Sequence, residues 1–190
     1  IIELGLPFSD PIADGPTIQK ASELALNSGI NTDIYFKICK KIHSKNVAFV
    51  AMTYYNLIFK YGLERFTKKC AEVGISGIIV PDLPVEESYD LRRCCKKYDI
   101  DLIYLIAPTT DDERIKKIIK NSSGFVYLVS LLGVTGARDV MSKYAKGLIK
   151  KVKDKTEIPI CVGFGISKPK HVKYAIDYGA DGVIVGSAII

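Results

Sequence analysis

Short apolar runs alternate with lysine-rich stretches of helical period along the whole chain. The runs at 1–6, 48–53, 77–80, 102–106, 125–130, 158–162 and 182–185 are β-branched or apolar and read as strands. Between them, 63–72, 87–98, 112–120, 142–153 and 169–178 place apolar residues three to four apart, as Ile115, Ile118 and Ile119 do, and read as helices. A helix is also expected at 17–27. Helix starts are marked by Thr110-Asp111-Asp112-Glu113 and by Ser167-Lys168-Pro169, and Gly74 and Gly179 sit where helices should stop. Seven strands at a spacing of about 20–30 residues predict repeated βαβ units and a parallel sheet. No linker, low-complexity tract or composition shift divides them, so 1–190 reads as a single α/β domain. An open doubly wound sheet and a closed eightfold barrel both fit. Glycines at the strand ends, at 163–165 and 186–187, suit the barrel, whose active-site loops lie at the C-terminal ends of all strands. On that architecture the seven strands are an incomplete portion, wanting one βα unit before Ile1 and a helix after Ile190.

The loop after the first strand changes the picture most. PFSDPIADGPTIQ, at 7–19, holds three prolines, one glycine and two carboxylates, Asp10 and Asp14. Prolines fix φ and remove donors, so the loop is stiff, and a stiff acidic loop at a strand end can present catalytic groups. Glu3 precedes it. It alternates onto one face of its strand with Ile1 and Gly5, while Ile2, Leu4 and Leu6 take the other. A glutamate turned toward a barrel interior has its charged form disfavoured and its pKa raised into the range of acid–base work. A solvent-exposed glutamate paired with a lysine is the plainer alternative. Ser9-Asp10-Pro11 is a turn sequence, so Asp10 reads as structural and Asp14 as the candidate for substrate contact.

Gly133-Val134-Thr135-Gly136, Gly163-Phe164-Gly165 and Gly186-Ser187 follow the last three strands. Glycine lets backbone N–H groups approach an oxyanion, and barrels often hold phosphate in their last loops. The net charge of +6 suits an anionic small substrate, and without an aromatic-interleaved basic stripe it does not suggest nucleic acid. No apolar run is long enough to span a bilayer. Five cysteines lack metal-site spacing and read as free thiols of a reduced, cytoplasmic compartment. The chain opens on Ile1 within a strand, so a leader, and with it a plastid location, stays open. Both histidines fall in helical segments, no confidently placed strand carries a lysine, and no dinucleotide or P-loop motif occurs. Metal-free acid–base chemistry on a phosphorylated small molecule remains.

The segments ELGLPFSDPIADGPTIQ (3–19), YYNLIFKYG (54–62), VPDLPVEES (80–88), YLVSLLGVTGAR (127–138), GFGIS (163–167) and GVIVGSAI (182–189) resemble the tryptophan synthase α subunit family, in that family's order. The resemblance implies a (βα)8 TIM barrel that cleaves indole-3-glycerol phosphate to indole and glyceraldehyde 3-phosphate. It implies that Glu3 is the acid–base catalyst and that Asp14 accepts the indole N–H. Tyr127 would stand beside the glutamate, Tyr54 and Phe164 would enclose the indole, and Thr135 would close a loop onto Asp14. Gly136, Gly165, Gly186 and Ser187 would hold the phosphate. Leu131 stands where many members carry arginine. The family pairs with a β subunit in an α2β2 heterotetramer. Pyridoxal phosphate belongs to that partner, and no cofactor is expected in this chain. Asp10 and Pro81-Asp82-Leu83-Pro84 would lie near the interface with it or its communication route. A non-catalytic activator of the β subunit and another phosphate-binding barrel, such as a sugar-phosphate isomerase, are the competing readings.

Overall fold

A computed structural model of the chain describes residues 1–42, 46–129, 138–163 and 165–190, with the side chains of 138–144 left aside. It divides into two compact units, Ile1–Ile103 and Tyr104–Ile190.

The first unit carries β1 (Ile2–Gly5), α1 (Pro16–Asn27), α2 (Thr32–Lys41), β2 (Phe49–Met52), α3 (Tyr55–Tyr61), α4 (Leu63–Glu72), β3 (Ile75–Ile79), α5 (Tyr89–Lys97) and β4 (Asp101–Ile103). Its sheet runs β1-β2-β3-β4 and every pairing is parallel. Glu3 sits opposite Val50, and Val50 opposite Gly77. A parallel strand covered on both faces must be apolar almost throughout, as Phe49, Val50 and Ala51 of β2 and Ile78 and Ile79 of β3 are. Phe66 and Cys70, four apart on α4, bury the face of that helix. Phe36 packs edge-on against Phe66, with ring centroids 5.2 Å apart.

The second unit carries β5 (Leu105–Ile106), α6 (Asp112–Asn121), β6 (Val126–Val129), α7 (Arg138–Lys153), β7 (Ile160–Gly163), α8 (Pro169–Asp177) and β8 (Gly182–Val183). Its sheet runs β5-β6-β7-β8, again parallel. Ile106, Ile115, Val126, Leu128, Ile149 and Ile160 are fully buried.

All seven expected strands are present, with one interruption. The run 102–106 forms two pieces, β4 and β5, separated by Tyr104, whose carbonyl accepts from the Tyr127 N–H at 3.0 Å. Two helices, α2 and α3, were not among the expected ones. The first is marked by Asn31, whose side chain accepts from the Ile34 N–H at 3.0 Å. The second spans only Tyr55–Tyr61, too short for its period to stand out. The expected cap at Asp111 is present: its side chain accepts from the Arg114 N–H at 2.8 Å. Pro169 stands in the first turn of α8, and Gly74 and Gly179 adopt φ of 82° and 101° just past helix ends. Among the described residues no helix is long and apolar enough to cross a membrane.

Asp111→Ala removes one N-cap acceptor from α6 and is expected to destabilise the fold by about 1 kcal/mol. Urea unfolding of parent and variant measures it, and no change in midpoint would contradict the capping role.

Candidate active site

Glu3 lies in the middle of β1, partly buried, while Asp14 lies in the loop between β1 and α1. That loop is shaped by its own backbone. The Asp14 N–H donates to the Pro11 carbonyl at 3.2 Å, closing a turn, and the Gln19 amide reaches back to the Asp14 carbonyl at 2.8 Å. Gly15, extended at φ −78° and ψ 170°, then leads into Pro16, which opens α1.

Tyr54, at the end of β2, locks the loop in place. Its hydroxyl donates to Asp14 Oδ2 at 2.9 Å and accepts from the Ala13 N–H at 3.0 Å. Its ring lies 5.2 Å from that of Phe8. One buried phenol therefore grips both a side chain and the backbone of the acidic loop.

The electrostatics follow from this arrangement. Burial, and after it the nearby Asp14 charge, together push the Glu3 carboxyl up to about 7. Asp14 is also raised by burial, but the Tyr54 hydroxyl, donating to its charged form, pulls the other way. Glu3 is therefore about half protonated at pH 7, and of the two acids Asp14 is the one held by a hydrogen-bond donor. A protonated acid next to a stabilised carboxylate divides donor and acceptor roles between two like side chains.

In the second unit, Tyr127 sits buried on β6, and β7 runs alongside with Val129 opposite Gly163. A Cβ on Gly163 would overlap the Tyr127 ring and hydroxyl. Gly163 is therefore glycine because the tyrosine ring occupies the space beside it, a reason distinct from the anion-binding one suggested by the sequence. Gly165 adopts φ 74°, open to glycine and strained for other residues. Gly186 and Ser187 are exposed where a turn begins, with the Gly186 carbonyl accepting from the Ile189 N–H at 2.8 Å. Thr135, Gly136, Phe164 and Leu131 lie outside the described residues. The structure thus brings Glu3, Asp14 and Tyr54 together in the first unit, and places Tyr127, Gly165, Gly186 and Ser187 within the second.

Asp10 is exposed and bonded to Ser9 Oγ at 2.6 Å, in keeping with a turn role. Four cysteines are buried, and their thiols are raised chiefly by burial, so they pack as small apolar groups. Among the described residues no group of three or more His, Cys, Asp and Glu is placed to hold a metal ion. A groove of about 630 Å³ along α8, lined by Val172, Ile176 and Val185 among others, contains none of the expected site residues.

The sequence reading missed the Tyr54–Asp14 bond. Tyr54 was expected only as part of an indole enclosure. No spacing rule links residues 40 positions apart, and the signal that existed was a tyrosine at a strand end, where site residues gather.

Two predictions follow from these environments. The unfolded Glu3 carboxyl titrates near 4.5 and the folded one near 7, so folding binds a proton and stability falls as pH rises between these values. Glu3→Gln removes that cost, and is expected to exceed the parent in stability by up to about 3 kcal/mol above pH 7 with no advantage at pH 4. Thermal melts of both proteins at pH 4 and pH 8 check the sign. Gly163→Ala forces Tyr127 to move and is expected to cost about 1–3 kcal/mol by overpacking. Gly179→Ala, strained at φ 101° but meeting nothing nearer than 3.9 Å, serves as the comparison in chemical unfolding.

Comparison with known proteins places this geometry in a family. The family model described as "Tryptophan synthase alpha chain" matches residues 1–190. The tryptophan synthase alpha chain of Methanocaldococcus jannaschii is 59% identical over 192 residues, covering 100% of this chain and 68% of the relative. That of Methanosarcina barkeri is 53% identical over 190 residues, with 100% and 71% covered. Among solved structures, tryptophan synthase subunit alpha from Campylobacter jejuni aligns with a TM-score of 0.89 at 45% identity, over 99% of this chain and 75% of that one. A structure of the tryptophan synthase α2β2 complex from Pyrococcus furiosus aligns with a TM-score of 0.91 at 44% identity, over 98% and 76%. The fold class is accordingly α/β with parallel strands, that of the (βα)8 TIM barrel.

Proposed function

Because the chain belongs to the tryptophan synthase alpha chain family, we propose that Glu3 and Asp14 carry out the lyase reaction of that family. The reaction is the retro-aldol cleavage of indole-3-glycerol phosphate to indole and glyceraldehyde 3-phosphate, a step of tryptophan biosynthesis. The observation that carries the proposal is the Glu3 carboxyl, raised to about 7 by burial and by the Asp14 charge beside it.

The bond to be broken joins indole C3 to the carbinol carbon of the glycerol chain. Glu3, carrying its proton, delivers it to C3, and the ring nitrogen takes up positive charge. Asp14 accepts the indole N–H and stabilises that charge, with Tyr54 holding its carboxylate in place. The carbon–carbon bond then breaks and its electrons return to the ring. The carbinol hydroxyl gives its proton to the Glu3 carboxylate, leaving the aldehyde of glyceraldehyde 3-phosphate. Glu3 ends protonated, as it began, so one group serves as acid and then as base. In this reading Tyr54, Tyr127, Thr135 and Phe164 take part in binding the substrate. Gly165, Gly186 and Ser187, with Gly136, are assigned to the phosphate through backbone and hydroxyl donors.

This chemistry asks for acids and donors only, and we assign no cofactor to this chain. Pyridoxal phosphate, in this reading, belongs to the β subunit. An α2β2 assembly is named for the Pyrococcus furiosus relative, and a β subunit is the partner proposed here. Residues 1–190 serve as one βα-barrel domain, and a cytoplasmic location agrees with the free thiols.

Indole release from indole-3-glycerol phosphate tests the assignment, with and without a β subunit. Glu3→Gln and Asp14→Asn are each expected to lower kcat by at least about a hundredfold, while both still bind the β subunit. Undiminished release from Glu3→Gln would refute the assignment of Glu3.

A further inference from the structure

Tyr54 orients Asp14, yet its own backbone is fixed from elsewhere. Helix α3 starts at Tyr55, and its N-cap residue, Tyr54, makes no side-chain cap. Serine, threonine, asparagine or aspartate ordinarily stands at such a position and accepts from the first N–H groups. Tyr54 cannot do so, because its side chain is committed to Ala13 and Asp14. The N–H of Tyr55 is met by Asp82, whose Oδ1 accepts it at 2.9 Å.

Asp82 is delivered by a rigid segment. It follows β3 between Pro81 and Pro84, each of which fixes its φ. The Leu83 N–H closes a turn onto the Val80 carbonyl at 3.2 Å, and the Glu87 N–H closes the next onto Pro84 at 3.0 Å. Leu83 and Val85 are buried, which anchors the segment from below. β3 grips the same stretch a second time, where the Thr53 N–H donates to the Ile79 carbonyl at 3.1 Å. Residues 53 and 55 are thus both tied to the end of β3, with Tyr54 between them.

We infer that Asp82 is a positioning residue for the cleavage reaction: by capping α3 at Tyr55 it fixes the Tyr54 ring and, through the Tyr54 hydroxyl, the carboxylate of Asp14. This rests on the lyase reading above. Asp82 itself touches no reacting atom in this account. Its effect is transmitted by three groups in sequence, the Asp82 carboxylate, the Tyr54–Tyr55 backbone and the Tyr54 phenol.

The test is a double-substitution cycle in the full chain, with indole release read as kcat and KM. Asp82→Ala is expected to lower kcat about tenfold and to change KM less than about threefold, because misplacing a catalytic group by about 1 Å slows reaction without abolishing binding. Asp82→Asn keeps the acceptor and is expected to recover most of the loss. In a Tyr54→Phe background, Asp82→Ala is expected to cost less than about twofold further. A full tenfold loss in that background overturns the inference, as does an Asp82→Asn variant no better than Asp82→Ala. A second readout is independent of turnover: the ¹³C ring signal of Tyr54, which should move in Asp82→Ala and hold in Asp82→Asn. A signal unmoved by Asp82→Ala overturns the positioning role. A moved signal in a parent protein that releases no indole supports the positioning and overturns the lyase reading instead.

Discussion

Two carboxyl groups, Glu3 from within β1 and Asp14 from the loop after it, share one partly dehydrated environment where ionising both is costly. Burial raises each, and the charge of Asp14 adds to the cost of ionising Glu3. Among the described residues only Asp14 receives a donor, from Tyr54, to offset that cost. The asymmetry favours the proton on Glu3 and the charge on Asp14. Moving the phenol away from Asp14 would weaken the difference between the two acids.

Much of the first unit serves to keep this asymmetry in place. Parallel pairing of β1, β2 and β3 fixes where their C-terminal ends lie relative to one another. Glu3 comes from β1, Tyr54 from just beyond β2 and Asp82 from just beyond β3. Prolines at 7, 11, 16, 81 and 84 stiffen the loops that carry the acids, lowering the entropy lost in holding them. The apolar interior behind, with Ile58, Phe66, Ile78 and Ile79 fully buried, supplies the rigid base on which a small displacement at one strand end would be felt at the next.

The strands were legible because parallel strands buried on both faces read as unbroken apolar runs, and helices such as α4 and α6 because their apolar faces recur at helical spacing. The break at Tyr104 was not legible, since an unbroken apolar run does not show that its first half, β4, pairs with β3 and its second, β5, with β6. Glu3 and Asp14 stood out as acids in an apolar strand and a proline-rich loop, and the raised Glu3 carboxyl agrees with that reading. The contacts that tune them were hidden. Tyr54 reaches Asp14 across 40 positions, and Asp82 reaches Tyr55 across 27. Gly163 looked like any strand-end glycine until the Tyr127 ring was seen in the space a Cβ would fill. Non-local pairs like these leave no trace in periodicity or turn chemistry.

The proposed cleavage needs a Glu3 that still carries a proton near neutral pH. A ¹³C titration of the Glu3 side-chain carboxyl, in the parent and in Asp14→Asn, reads this directly. The expected midpoint is about 7 in the parent and lower, though still well above 4.5, once the Asp14 charge is removed, because burial is the larger cause. A midpoint near 4.5 in the folded parent would contradict it.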